Sequence, residues 1–395
     1  PKSTLPCLQK RRYWAMGKHA LLSASSSRRW LNCPPSARLC EQYEDKGSSY
    51  AAEGTEAHTL CEYKLKTALG IRTKDPTTSL TYYSEEMEEC ANGYAAYTME
   101  LVETAKQNCA DPVVLIEQRL DFSKYVEGGF GTGDCVIIAD GTLNVIDFKM
   151  GAGVLIEADD NPQMKLYALG ALELFDGIYD IDTVSMTIYQ PRRDNISTHT
   201  VFKESLYQWA AETLKPIAEL AYDGEGEFRC GDWCQFCKAK HDCRKRAEQN
   251  IELAKYEFKL PPLLEDDEIE SILGKIDDLV SWASDIKDYA LQSALSGKHW
   301  SGWKLVEGRS NRRYTSDQAV AETVSAAGFD PYEHKVMGIT AMEKALGKVR
   351  FSELLGGLVE KPQGKPTLVP EGDKRPAIHT AKHDFNDYEE ENSNG

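Results

Sequence analysis

The stretch "GTGDCVIIADGTLNVIDFK", residues 131–149, decides the fold. Two runs rich in β-branched residues flank Asp140-Gly141, and Asp-Gly between such runs marks a two-residue hairpin turn. With those two residues at the tip, Ala139 faces Thr142 and, counting outward, Asp134 faces Asp147. Facing side chains share one side of a sheet, with Cβ atoms roughly 4.5–5.5 Å apart. Lys149 lies two residues past Asp147 and points the same way. An apolar hairpin thus carries two carboxylates and an ammonium at its open end.

Outward from the hairpin, residues 111–122 and 182–192 read as further strands, and 19–43, 50–70, 84–107, 159–175 and 204–222 read as helical. Asn161 and Pro162 sit where a helix cap and first turn belong. The pattern is α/β: a central mixed sheet flanked by helices, with helical N-terminal and C-terminal regions. Beyond residue 250 the chain turns helical and acidic. It offers a long helix at 260–297, a short hairpin at 302–316 and helices at 317–329 and 338–359. Residues 1–15 read as an upstream extension before Met16, and 361–395 as a disordered acidic tail.

The chain has 395 residues with 46 Lys and Arg against 63 Asp and Glu, a net charge of −17. That balance argues against a generic nucleic-acid coat but allows a local basic groove. Basic clusters stand at 10–12, 28–29, 238–246 and 308–313. No run is long enough to span a bilayer, and no signal-peptide core is seen, so the expected location is cytoplasmic, away from membranes.

Two carboxylates held close together repel, and burial makes their ionisation harder. A divalent cation relieves both costs; Mg²⁺ takes one or two carboxylates and keeps waters and phosphate oxygens as its other ligands. A lysine beside it can orient or deprotonate a water, or stabilise charge building on a phosphate. The alternative is a salt-bridged trio, Asp134–Lys149–Asp147, at a sheet edge.

Three neighbouring motifs bear on that choice. "GTGD" followed by "IDFK" resembles the Gly-x-x-Asp … Asp-x-Lys signature of the PD-(D/E)XK nuclease superfamily. "NPQMKLYALG" resembles the Gln-x-x-x-Tyr motif of its RecB-type branch, with Gln163 and Tyr167 one helical turn apart. "EGTEAH" resembles the branch's Gly-x-x-x-His motif, with Gly54 and His58. The resemblance implies a restriction-endonuclease-like core in which Asp134, Asp147, His58 and the Phe148 carbonyl hold Mg²⁺ or Mn²⁺. It implies that Lys149 activates water and that Gln163 and Tyr167 order the site or the DNA. Glu117, on the preceding strand, either assists or is a surface glutamate.

Four cysteines, Cys230, Cys234, Cys237 and Cys243, crowd "CGDWCQFCKAKHDC". Read locally, they can bind one Zn²⁺ or an iron–sulfur cluster. Cys234, Cys237 and Cys243 resemble the trio that follows the nuclease core in AddB-like and CRISPR-adaptation nucleases. That resemblance implies a structural [4Fe–4S] cluster, with Cys33 of "RRWLNCPPSARL" as the distant fourth ligand. Cys230 leaves the fourth ligand ambiguous and zinc open. Cys7, Cys40, Cys61, Cys90, Cys109 and Cys135 are expected to be packing residues.

The whole chain resembles an uncharacterised family of phage and prophage replication modules. The resemblance implies work on DNA in the bacterial host cytoplasm during replication, recombination or end processing; the acidic tail reads either as a solubilising end or as a docking peptide for a single-strand-binding or annealing protein. The expected organisation is a helical region at 16–110 with Cys33 and His58, the nuclease core and cysteine cluster at 111–248, and helices at 249–360. The expected activity is metal-dependent hydrolysis of DNA phosphodiesters, as an exonuclease. Alternatives are a catalytically silent nucleic-acid-binding scaffold with the same fold and an endonuclease with a zinc site.

Overall fold

A computed structural model describes residues 20–44, 47–254, 266–306, 315–332 and 336–360. The expected extension, Cys7, the tail and most of the 302–316 hairpin lie outside the described residues. The chain divides into two compact units, residues 1–306 and 307–395. In the second, α10 (Asp317–Ala326), α11 (Ile339–Leu346) and α12 (Lys348–Leu355) are short helices.

The first unit is built on one sheet of five strands in sequence order: β1 (Val113–Asp121), β2 (Phe130–Ala139), β3 (Gly141–Phe148), β4 (Ile181–Gln190) and β5 (Asn195–Phe202). All neighbours are antiparallel except β3 and β4, which are parallel and joined through α5 (Pro162–Phe175). A parallel pair needs such a crossover, whereas the antiparallel pairs are joined directly. This is the mixed sheet flanked by helices that the sequence pattern predicts. β5 has no counterpart in that reading. It is an edge strand of alternating Thr, Ser and His whose apolar content is too low to announce it.

The hairpin register is the predicted one. Ala139 pairs with Thr142 and Cys135 with Ile146, so Asp134 and Asp147 come next in line. Of the two tip residues, only Gly141 takes a positive φ, +82°.

The two faces of the sheet carry separate cores. Val136, Ile138, Leu143 and Val145 pack with α5, α6 (Lys203–Trp209) and α7 (Lys215–Asp223). Cys135, Ile137, Ile146 and Phe148 pack with α3 (Ser49–Ala68) and α4 (Glu85–Asn108). Serine side chains cap both helices, Ser48 accepting from the Ala51 N–H and Ser84 from the Met87 N–H. Asn161 caps α5 by accepting from the Gln163 and Met164 amides, with Pro162 in the first turn. These caps fix where Gln163 begins its helix and, through α3, where His58 stands.

One irregularity serves the site. On β1, Val113 and Leu115 face the α5 side, and so do Leu120 and Phe122 beyond, so the alternation slips by one between them. The slip falls at Glu117, which has φ 51° in mid-strand. On β2, Val136 and Ile138 face the α5 side, yet a Cβ added to Gly131 would meet the Tyr167 ring of α5 at 2.6 Å. That slip falls at Asp134, opposite Glu117. Both strands slip together, so the register on either side is unchanged. A left-handed φ on a non-glycine residue costs about 1–3 kcal/mol and persists only where the surroundings enforce it.

Candidate active site

Asp134 stands at the slip and is therefore not committed to one face. Its Oδ1 lies 3.2 Å from His58 Nδ1 on α3, and its Oδ2 accepts the Phe148 N–H at 2.7 Å. The ladder hydrogen bond that Phe148 would otherwise seek is replaced by a carboxylate. The Phe148 ring then turns to the α3–α4 side and meets His58 edge-on, with centroids 5.5 Å apart. His58, Glu117 and Asp134 each offer a ligand atom, all within 4.8 Å of one another.

Asp147, 2% exposed, lies on the α5 side. Lys149 Nζ is 2.9 Å from its Oδ2, and Gln163 Nε2 donates to its Oδ1 at 3.0 Å. Lys149 Nζ also donates to Gln163 Oε1 at 3.3 Å, and Gln163 Nε2 lies 3.3 Å from the Tyr167 hydroxyl. Asp147 Oδ2 is nevertheless buried without a well-directed hydrogen bond. Its charge is met by the Lys149 ammonium instead.

Burial and crowding shift every charge here. Burial pushes the Glu117 carboxyl up to about 7, with Asp134 adding repulsion. Burial alone would pull His58 down, but the charge and hydrogen bond of Asp134 outweigh it and lift the ring to about 8. Burial raises Asp147 against the pull of Lys149, and Asp147 keeps Lys149 charged against its own desolvation. Burial raises the Tyr167 hydroxyl, which stays neutral.

The expected residues thus converge on one end of the sheet, in two subsets. Asp147 sits with Lys149, Gln163 and Tyr167, while Glu117 completes the trio with His58 and Asp134. The signal for Glu117 was a lone carboxylate in an otherwise apolar strand segment.

The distant cysteines meet as well. Cys33, Cys234, Cys237 and Cys243 line one cavity, together with Arg29, Arg229, Lys240, Lys245 and Arg246. Cys33 follows α1 (Ser27–Asn32), and Cys40 ends α2 (Ser36–Cys40). Cys40 is buried, as a packing residue should be, but its sulfur also lies 3.6 Å from Cys237 Sγ. That contact pushes the Cys237 thiol up and holds Cys40 down to about 6. Cys40 lies beyond the Pro34-Pro35 break that separates α1 from α2, so no helical spacing linked it to the group. Cys230 stands beside Cys234 and is pushed up to about 12 by burial and its thiol neighbours. Cys61, Cys90, Cys109 and Cys135 are buried packing residues.

The long helix α9 (Asp266–Leu295) docks on the cysteine segment and on α8 (Arg244–Ala254). Asp285 receives Arg246 Nη1 at 2.5 Å and Lys240 Nζ at 2.7 Å, and Tyr289 stacks on His241 at 4.2 Å. Among the described residues no helix is long and apolar enough to cross a membrane.

Among solved structures, a chain described as "Crystal structure of SSO0001" is 16% identical, over 49% of this chain and 98% of that one, with a TM-score of 0.22. A family model matches residues 19–376, and the chain accordingly belongs to the family described as "Protein of unknown function (DUF2800)".

Proposed function

We propose that this protein is a metal-dependent DNA nuclease of restriction-endonuclease-like fold, carrying a structural iron–sulfur cluster. One observation carries the reading: His58, Glu117, Asp134, Asp147, Lys149 and Gln163 come from five separate elements and gather at one sheet end. A merely structural ion pair would not need strain at Glu117.

The donor set fits Mg²⁺ or Mn²⁺: buried carboxylates, one imidazole, and open oxygen valence. His58, Glu117 and Asp134 would hold the ion, with Asp147 and the Phe148 carbonyl as further oxygen donors. When bound, such an ion polarises the phosphoryl oxygen and makes water a better nucleophile. The chain's own groups do the remaining work. Lys149, kept charged by Asp147, orients the attacking water and stabilises the negative charge that develops on the phosphate. Gln163 fixes Lys149 and Asp147 relative to each other, and Tyr167 braces Gln163.

The cysteine cavity suits a thiolate-held metal centre, and the surrounding arginines and lysines offset its negative charge. The choice of an iron–sulfur cluster rests on the spacing of Cys234, Cys237 and Cys243 with Cys33. Held there, it would tie α1 to the segment after α7.

Anaerobic purification, metal analysis and incubation with linear and circular DNA plus Mn²⁺ test both parts. Iron with loss of linear but not circular duplex supports a clustered exonuclease. Cutting of circles makes the enzyme an endonuclease. Zinc without iron overturns the cluster. Binding without cleavage of any DNA form overturns the nuclease in favour of a scaffold.

A further inference from the structure

The connection from β3 to α5 runs from Lys149 to Asn161, so it begins on one site residue and ends two residues before another, Gln163. Its tip, Gly151–Val154, is exposed. Yet the loop is firmly held. Gln190, 1% exposed at the end of β4, donates to the Gly151 and Val154 carbonyls at 2.7 Å each and accepts the Ile156 N–H at 3.1 Å. Asn195 donates to the Ile156 carbonyl at 2.8 Å, and Ser197 accepts the Ala158 N–H at 2.9 Å. An exposed loop tied by this many side-chain bonds is preorganised rather than slack.

The two glycines of the tip are not explained by the fold. Neither takes a positive φ, and a Cβ added to Gly151 or Gly153 would meet nothing within 4 Å. Any residue could stand there without strain or clash. Glycine there leaves the backbone open to anything that approaches from outside. In sequence the tip begins two residues after Lys149.

We propose that Gly151–Val154 is a contact for the sugar-phosphate strand of the nucleic acid, with main-chain amides of the tip facing phosphate next to the cleavage site. The inference rests on the nuclease reading for its substrate. Glycine allows the strand to reach the backbone, and Gln190 holds that backbone ready, so that little ordering is needed on binding.

The test compares Gly153→Leu and Gly151→Leu with Gly177→Leu in the full chain. Gly177 is equally open but lies by the hairpin-tip end of the sheet. Labelled single- and double-stranded oligonucleotides report binding in Ca²⁺ and turnover in Mn²⁺. Gly153→Leu and Gly151→Leu should each raise Kd and KM about tenfold or more, the scale of one lost charge-assisted hydrogen bond, with Tm unchanged. Gly177→Leu should leave all three unchanged. Wild-type binding and turnover in both tip variants would overturn the proposal, and so would a fall in their Tm, which would show that the fold itself requires glycine. If the wild type binds DNA without cutting it, the nuclease reading fails while the binding comparison still decides the contact. If it does not bind DNA at all, both fail.

Discussion

Glu117→Gln separates a metal ligand from a structural glutamate in a way few substitutions can. An unfolded glutamate titrates near 4.5, whereas Glu117 is pushed up to about 7 by burial and by Asp134. A folded-state value raised above the unfolded one means stability that is complete below 4.5 and lost as pH rises through 7. In metal-free protein above pH 7, the ionised carboxylate therefore costs the fold roughly 2 kcal/mol, after allowance for its partial exposure. Glutamine keeps the shape and removes the charge. Denaturant unfolding in EDTA at pH 8 should show the variant more stable by about that amount, and at pH 4.5 the two proteins should coincide. Metal reverses the order. Calorimetric titration with Mn²⁺ should give the variant an affinity at least about tenfold weaker, because one charged ligand of the trio is gone. In the wild type, affinity should climb from pH 6 to pH 8.5, since Glu117 near 7 and His58 near 8 must both lose protons to bind. A variant that is less stable without metal, or that binds Mn²⁺ as tightly as the wild type, would refute the assignment of Glu117.

Other substitutions address other parts of the molecule. Lys149→Ala should lower turnover by about a thousandfold while leaving DNA binding within about twofold, as gel shift and a single-turnover assay would show; equal losses in both would remove its role in chemistry. If the proposed cluster is present, Cys33→Ser should abolish iron binding and destabilise the fold by up to about 5 kcal/mol, because such a cluster would close a loop of roughly two hundred residues. Cys40→Ser, outside the cavity lining, should retain iron by absorbance and metal analysis. Asp285→Ala leaves Arg246 buried without its carboxylate, so the docking of α9 should weaken by about 3 kcal/mol, read as faster amide exchange in α9 and in the cysteine segment.

Much of the site was legible because the chemistry is written in local patterns. Asp140-Gly141 set the turn, and the turn set the register as far as Cys135 with Ile146, but the slip at Asp134 took that side chain to His58 and Glu117 instead of onto one face with Asp147. The cap at Asn161 set where Gln163 and Tyr167 begin their turn of helix. The edge strand β5 escaped notice because it buries little, and a strand that buries little leaves a weak apolar signal.

By itself, then, the sequence determined the hairpin, the helix starts, the mixed class of the sheet and the residues that meet along one strand or one helical turn. These follow from short-range geometry, which repeats with a fixed period. Only the tertiary structure decided that Glu117 joins His58 and Asp134, because a slip of one residue in two paired strands changes which face a side chain serves. It alone also decided that Cys33 lines a cavity with three thiols some two hundred residues away, that Cys40 touches Cys237, and that β4 and β5 hold the loop beyond Lys149. Contacts between distant segments depend on how whole layers pack, and no local period encodes that.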